Sequence, residues 1–235
     1  MQAIDVVRID PTTAKPLAAL TVLPLAVICI QLALDLDSVL GVAGYSLYKL
    51  CFLVPPLVYC RMQGINVRRD VLKLHNWRNC FATALALGGL GVGIFGGAYW
   101  LLGDVLLDKA AIVEKISEQF SVNASTVLIV APITIFLNSL LEECFYRGFT
   151  FGLLAKANKP LAYLLPATVF TIQHVMFIYH WVTPLPLAMA VVGLFVFALV
   201  LQKLYQRADS IVAPWLVHIC GDVAMMGIAM SMLWS

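Results

Sequence analysis

Apolar residues in this chain come in long unbroken runs, not in strict alternation or in narrow amphipathic stripes. Stretches at about 17–34, 38–60, 80–103, 126–154, 161–182, 184–202 and 211–233 are each near the roughly 20 helical residues that cross a hydrocarbon core. Lipid offers no partner for exposed backbone N–H and C=O groups, so each run is predicted to be a helix. The expected architecture is all-α: a polytopic membrane bundle of about seven transmembrane helices around an intramembrane polar cavity. It forms one transmembrane domain over 1–235, with residues 1–16 as a polar cytoplasmic lead. That lead holds Asp5, Arg8, Asp10, Pro11 and Lys15, unlike a signal peptide. No small-residue cleavage site follows the first run, so its helix is expected to be retained.

Composition strengthens this picture. Of 235 residues, 62% are hydrophobic and 12% charged, against about 45–50% and about 25% in soluble domains. A soluble core of this size could not hide so much apolar surface. The net charge of +2 and the lack of a basic, aromatic-laced stretch argue against nucleic-acid binding. Lys and Arg fall unevenly between the runs: 11 in the lead and the 61–79, 155–160 and 203–210 loops, 2 on the alternate side. The positive-inside bias therefore predicts a cytoplasmic N-terminus and an outer C-terminus. Cys29, Cys51, Cys60, Cys80, Cys144 and Cys220 show no CxxC pair and no zinc-like spacing. They suggest neither a disulfide framework nor a redox motif.

Three further features have plain structural readings. Gly88, Gly89, Gly91, Gly93, Gly96 and Gly97 suit close packing of the third helix against its neighbours, with a dimer face as the alternative. Asn123-Ala124-Ser125 is a sequon on the outer side, relevant only in a secretory-pathway host. The basic 61–79 loop is a topology signal, with anionic-lipid contact as a minor addition.

Titratable groups inside membrane spans are expensive, and each is a site candidate. They are Lys49, Glu142, Glu143, Arg147, His174, His180, His218 and Asp222. Glu143 and Arg147 are four apart, the spacing of a same-face ion pair. Glu142 points about 100° away from Glu143 on a helix, so one carboxylate can be neutralised while the other stays free. At about 1.5 Å per residue, Glu142 lies roughly 21 Å from Lys156, and His174 roughly 22 Å from Lys159. His218 and Asp222, on one helix face, lie roughly 14 and 20 Å from Asp209. Three helices thus carry an acid, two imidazoles and a further carboxyl to a similar depth. A proton relay among them requires convergence within about 10 Å. His180, beside Trp181 and Pro184, reads as interfacial. Lys49 can line a cavity or snorkel, and His75 sits in the solvated loop.

Several chemistries are absent from the sequence: it has no HExxH, no Ser in a GxSG context, and no pair of transmembrane aspartates. What remains is a Glu and a His able to activate water, and polar groups able to steady an oxyanion.

The run Glu142-Glu143-x-x-x-Arg147, then Phe170-x-x-x-His174, then His218-x-x-x-Asp222 resembles the three ordered motifs of the CPBP family. These are the CAAX-processing proteases and bacteriocin-processing proteins, also called Abi-type intramembrane glutamic endopeptidases. The resemblance implies a metal-independent peptidase with no cofactor, acting on a membrane-anchored or lipidated protein or peptide within the bilayer. It implies Glu142 as general base on a water, assisted by His174, with His218 and Asp222 on the carbonyl oxygen or the substrate. Glu143 and Arg147 become structural. An Asn at position 222 would donate to an oxyanion, whereas an ionised Asp222 would repel it, so Asp222 must be protonated or act otherwise. Two alternatives stay open: a His₂Glu zinc-dependent intramembrane protease, separated by metal content, and a non-enzymatic scaffold or immunity-type protein, separated by the effect of Glu142→Ala. The sequence identifies neither the substrate nor an oligomeric state.

Overall fold

The computed structural model describes residues 14–34, 48–120 and 122–234. Most of the polar lead, the 35–37 turn and the first ten residues of the second expected span lie outside the described residues. The described residues form helices and no strands. We number the helices α1 (Ala14–Ala33), α2 (Val54–Met62), α3 (Phe81–Leu106), α4 (Lys109–Phe120), α5 (Val127–Ala157), α6 (Lys159–Ile178), α7 (Pro184–Ala208) and α8 (Val212–Leu233). Six of them are long and apolar enough to cross a membrane, and seven spans result if the bent segment around α2 counts as one. The protein is a multi-pass membrane protein.

Packing faces in lipid are chosen by small and polar groups, because apolar side chains are equally content on either side. α1 shows this. Its buried positions are Leu17, Thr21, Pro24, Ile28 and Gln31, a seam spaced by alternating steps of four and three. The Thr21 hydroxyl within that seam donates to the Leu17 carbonyl at 2.7 Å. α3 lies along α8, α6 runs back along α7, and α1 packs on α6 and on the α5 region.

The second expected span departs from a straight helix. A 3₁₀ turn at Tyr48–Phe52 leads into α2, which ends at Met62. Gly64 (φ +64°) follows, with its N–H on the Arg61 carbonyl and the Ile65 N–H on that of Cys60 at 2.8 Å. This is a Schellman stop, which favours glycine at the left-handed position. Asn66 then caps a wide helical turn at Val67–Leu72, accepting from the Arg69 N–H while Asp70 accepts from the Asn66 N–H. The chain bends by 114° between the two parts. Part of the 61–79 stretch, expected as loop, is therefore helical. So is the middle of the 104–125 loop, as the amphipathic α4.

The bent segment is fastened to the α7–α8 junction. Tyr205 donates to the Val71 carbonyl, the Ile211 N–H to that of Leu72, and Lys73 pairs with Asp209. Lys156 interacts electrostatically with Lys73, Asp70 and Asp209, so three of the basic loops gather at one end of the bundle. At the start of α5, Asn123 accepts from the N–H groups of Ser125 and Thr126. The asparagine of the sequon thus closes the turn that leads into α5.

Close approach demands glycine at few places. A Cβ at Gly88 would sit 2.5 Å from Cys220 Sγ on α8. Among the described residues, nothing lies within 4 Å of a Cβ at Gly89, Gly91, Gly93, Gly96 or Gly97, whereas Gly88 makes the close contact with α8. On α5, a Cβ at Gly148 would lie 2.9 Å from Val71 Cγ1 and 3.1 Å from the Val71 carbonyl oxygen. We expect Gly148→Ala to cost about 1–3 kcal/mol through overpacking against backbone, and Gly93→Ala to stay within about 0.5 kcal/mol, as surface changes do. Melting temperatures of the two purified variants in one detergent check this; equal melting would contradict the close α5 contact.

Candidate active site

α5 supplies the two acids. It is not a uniform α-helix: wide π-type turns at Ile133–Asn138 and Cys144–Phe151 flank the short α-helical stretch Ser139–Glu143. Such turns recur at functional sites because they re-aim side chains without ending the helix. Glu142 and Glu143 are 1% and 0% exposed, and each has its own partners.

Glu143 faces Arg147 and His218. Its Oε1 lies 2.8 Å from Arg147 Nη1, an ion-pair distance without hydrogen-bond alignment, and 2.8 Å from His218 Nδ1. The buried Arg147 guanidinium stacks over the Phe170 ring at 4.6 Å, which returns part of its lost hydration. The i,i+4 pair expected from the sequence is present, and it also holds an imidazole, which the spacing did not announce.

Glu142 faces the other way. Its Oε1 accepts from Lys49 Nζ at 2.7 Å, Asn138 Nδ2 at 3.1 Å and Gln173 Nε2 at 3.3 Å. Tyr146 donates in turn to Gln173 Oε1. Glu142 Oε2 is buried and has no hydrogen-bond donor among the described residues. It looks instead at two imidazole nitrogens, His174 Nε2 at 3.5 Å and His218 Nε2 at 3.9 Å. His218 Nε2 is also 3.8 Å from Asp222 Oδ1. The structure thus brings Glu142, His174, His218 and Asp222 into one cluster.

The hydrogen bonds fix how the imidazoles are presented. His174 Nδ1 is 2.8 Å from the Phe170 carbonyl, which can only accept, so Nδ1 carries the proton. His218 Nδ1 meets the Glu143 carboxylate in the same sense. In each neutral ring Nε2 is left with its lone pair, directed at the cluster. Phe170, four residues before His174, thereby acts through its backbone, while its ring packs against His174, His218 and Arg147.

Three members reach the rim: the side chains of His174, Asp222 and Lys49 are 29%, 19% and 17% exposed. Two surface hollows lie elsewhere. One, of about 310 Å³, is bordered by Asn66, Arg68, Arg69, Leu74 and His75. The other, of about 500 Å³, is bordered by Lys115, Glu118, Gln119, His180 and Trp181. His180 and His75 therefore stand apart from the cluster, both exposed. Among the described residues, no group of three or more His, Cys, Asp and Glu side chains is disposed to hold a metal ion.

Asn138, Gln173 and the Trp215 Nε1–Ser139 Oγ hydrogen bond of 3.0 Å lie outside the titratable groups that mark the site in the sequence. Their signal was present, since any amide inside an apolar helix needs a partner. Lys49, open between cavity and interface, belongs to the cluster.

Removing one member of the Glu143–Arg147–His218 group leaves a buried charge uncompensated, at about 3–5 kcal/mol. Arg147→Ala is expected to lower melting temperature and yield together with any activity. A variant that melts like wild type would instead give Arg147 a role outside the fold.

No curated protein and no solved structure matches this chain. Residues 124–224 match the family model for type II CAAX prenyl endopeptidase Rce1-like proteins. Glu142, Glu143, Arg147, His174, His218 and Asp222 all fall within that segment, and Lys49 falls before it. The three motifs thus lie in a segment that is similar to the type II CAAX prenyl endopeptidases.

Proposed function

We propose that the protein is a glutamic-type intramembrane endopeptidase in which Glu142 activates a water for attack on a peptide carbonyl. The observation that carries this reading is the unpaired Glu142 Oε2, 3.5 and 3.9 Å from two imidazole Nε2 atoms. A water held there can give one proton to Oε2 and direct the other to the His174 lone pair. As that proton leaves, the water oxygen bonds to the carbonyl carbon and the carbonyl oxygen takes up negative charge.

His218 and Asp222 lie where that charge develops. With Glu143 on its Nδ1, His218 can accept a second proton at Nε2 and donate it toward the oxyanion. Asp222 can donate only in its protonated form. Collapse of the tetrahedral intermediate breaks the C–N bond. The proton taken by Glu142 then passes to the leaving nitrogen, so one water yields a carboxyl and an amine. No metal or cofactor enters these steps.

The substrate that fits is a membrane-anchored protein or peptide, and the similarity to type II CAAX prenyl endopeptidases points to a prenylated CAAX C-terminus. The excess of Lys and Arg at one end of the bundle favours that end, and the N-terminus, on the cytoplasmic side. Such a substrate would be met there.

Glu142→Gln keeps shape but cannot take a proton, and general acid–base catalysis is typically worth about 10²–10⁴-fold. Cleavage of a fluorogenic peptide ending in a prenylated CAAX motif should fall by at least that much in protein that still folds, since the glutamine carbonyl can accept from Lys49 in place of the carboxylate. Glu143→Gln should lose stability first. Near-wild-type cutting by Glu142→Gln sinks the glutamate mechanism. Incubation with a strong chelator, followed by metal analysis, should leave activity intact; loss restored by zinc would favour the His₂Glu metal reading.

A further inference from the structure

Three donors converge on Glu142 Oε1, and they come from three places. Asn138 lies one turn earlier on α5, Gln173 on α6, and Lys49 on the 3₁₀ turn that precedes α2. Only Lys49 is charged. Its segment is the bent one, remote in sequence from all three motifs and outside the matched residues 124–224.

The lysine is seated, not loose. Its Nζ lies 4.8 Å from the Tyr48 ring centroid and 5.1 Å from that of Phe52. Both rings are buried. Phe52 packs on Phe145 and Tyr146 of α5, and Tyr48 on Phe177 of α6. A snorkelling lysine would run its stem toward the interface and leave its head in water. This one turns its ammonium inward to 2.7 Å from a buried carboxylate.

Two consequences follow from simple electrostatics and geometry. A carboxylate taken out of water needs a counter-charge to remain ionised, and only an ionised Glu142 can receive a proton. Holding one oxygen by three donors also fixes the plane of the carboxylate, so the other oxygen has one direction left to face. That direction is toward His174 and His218.

We propose that Lys49 is a positioning residue of the peptidase site: its ammonium, seated on the Tyr48 and Phe52 rings, anchors Glu142 Oε1 and thereby presents Oε2 to the water. The proposal rests on the reading of Glu142 as general base. It makes the 3₁₀ turn Tyr48–Phe52 part of the active site.

The test uses the full-length protein in detergent, with the prenylated CAAX peptide as probe and Glu142→Gln as reference. Lys49→Met keeps the stem and removes the charge. It should lower kcat by about tenfold or more, within the range of acid–base contributions, and leave KM within about twofold. Lys49→Arg, which restores a cation, should recover much of the rate. In melting experiments Glu142→Gln should relieve the destabilisation that Lys49→Met causes, because the two side chains are coupled. Wild-type kcat in Lys49→Met with Glu142→Gln inactive overturns this proposal alone. A loss confined to KM, or no recovery in Lys49→Arg, overturns it as well. If Lys49→Met does not fold, Lys49→Arg is compared with Lys49→Gln, and equal kcat in the two counts against the ammonium. Near-wild-type cutting by Glu142→Gln removes the general-base reading and this inference with it.

Discussion

Two carboxylates on consecutive residues of a membrane helix set the terms for everything packed around them. Neither Glu142 nor Glu143 reaches solvent, and an unpaired ion in such a place costs several kcal/mol even after relaxation. Consecutive side chains on a helix diverge by about 100°, so one cation cannot serve both. The bundle answers with two separate sets of partners. Arg147 and His218 take Glu143, while Lys49, Asn138 and Gln173 take one oxygen of Glu142. Glu143 is thereby held between a guanidinium and an imidazole, while Glu142 keeps one oxygen facing two imidazole nitrogens.

Features far from the acids become intelligible on this footing. Lys49 reaches Glu142 from a segment that also bends by 114°, and the bend is made by the Gly64 stop and the Asn66 cap. Beyond the bend, Val71 packs on Gly148 of α5 and its carbonyl accepts from Tyr205 of α7. Tyr205 in turn lies against Gly152, where a Cβ would be 2.8 Å from its hydroxyl. The glycines on α5 thus admit a backbone and a phenol at short range. The segment carrying the lysine is braced at both ends, on aromatic rings at one and on α5, α7 and Lys73–Asp209 at the other.

How much of this the sequence could tell depends on the range of the physics involved. Transfer of apolar runs into lipid is local and additive, so the long spans and the intramembrane Glu, His, Arg and Asp residues stood out. The i,i+4 relation of Glu143 and Arg147 is equally local. Contacts between segments remote in the chain were not legible: nothing near Lys49 indicates that it will lie beside Glu142, 93 residues away. The wide turns of α5 leave no composition signature. Gly64 and Asn66 did carry a stop and a start, but a basic stretch reads as loop until those two residues are weighed as caps. On α3 six glycines suggest close packing, and among the described residues Gly88 is the one with a neighbour at short range.

Depth within the cluster also bears on the kind of peptide that can be cut. On the proposed reading, the attacked carbonyl must come to Glu142 Oε2 past the partly exposed His174 and Asp222. Inside lipid, a peptide carbonyl in mid-helix already accepts from an N–H four residues on, and freeing it leaves polar groups bare. The last four carbonyls of any helix have no such partner. A bond close to a C-terminus, or at the edge of the membrane where water replaces the lost partners, can therefore enter the cluster without unwinding a helix in hydrocarbon. On that reading, the same desolvation cost that fixes Lys49 and Arg147 in place limits which bonds of a membrane-anchored chain would be open to hydrolysis, and it favours those near the chain's end.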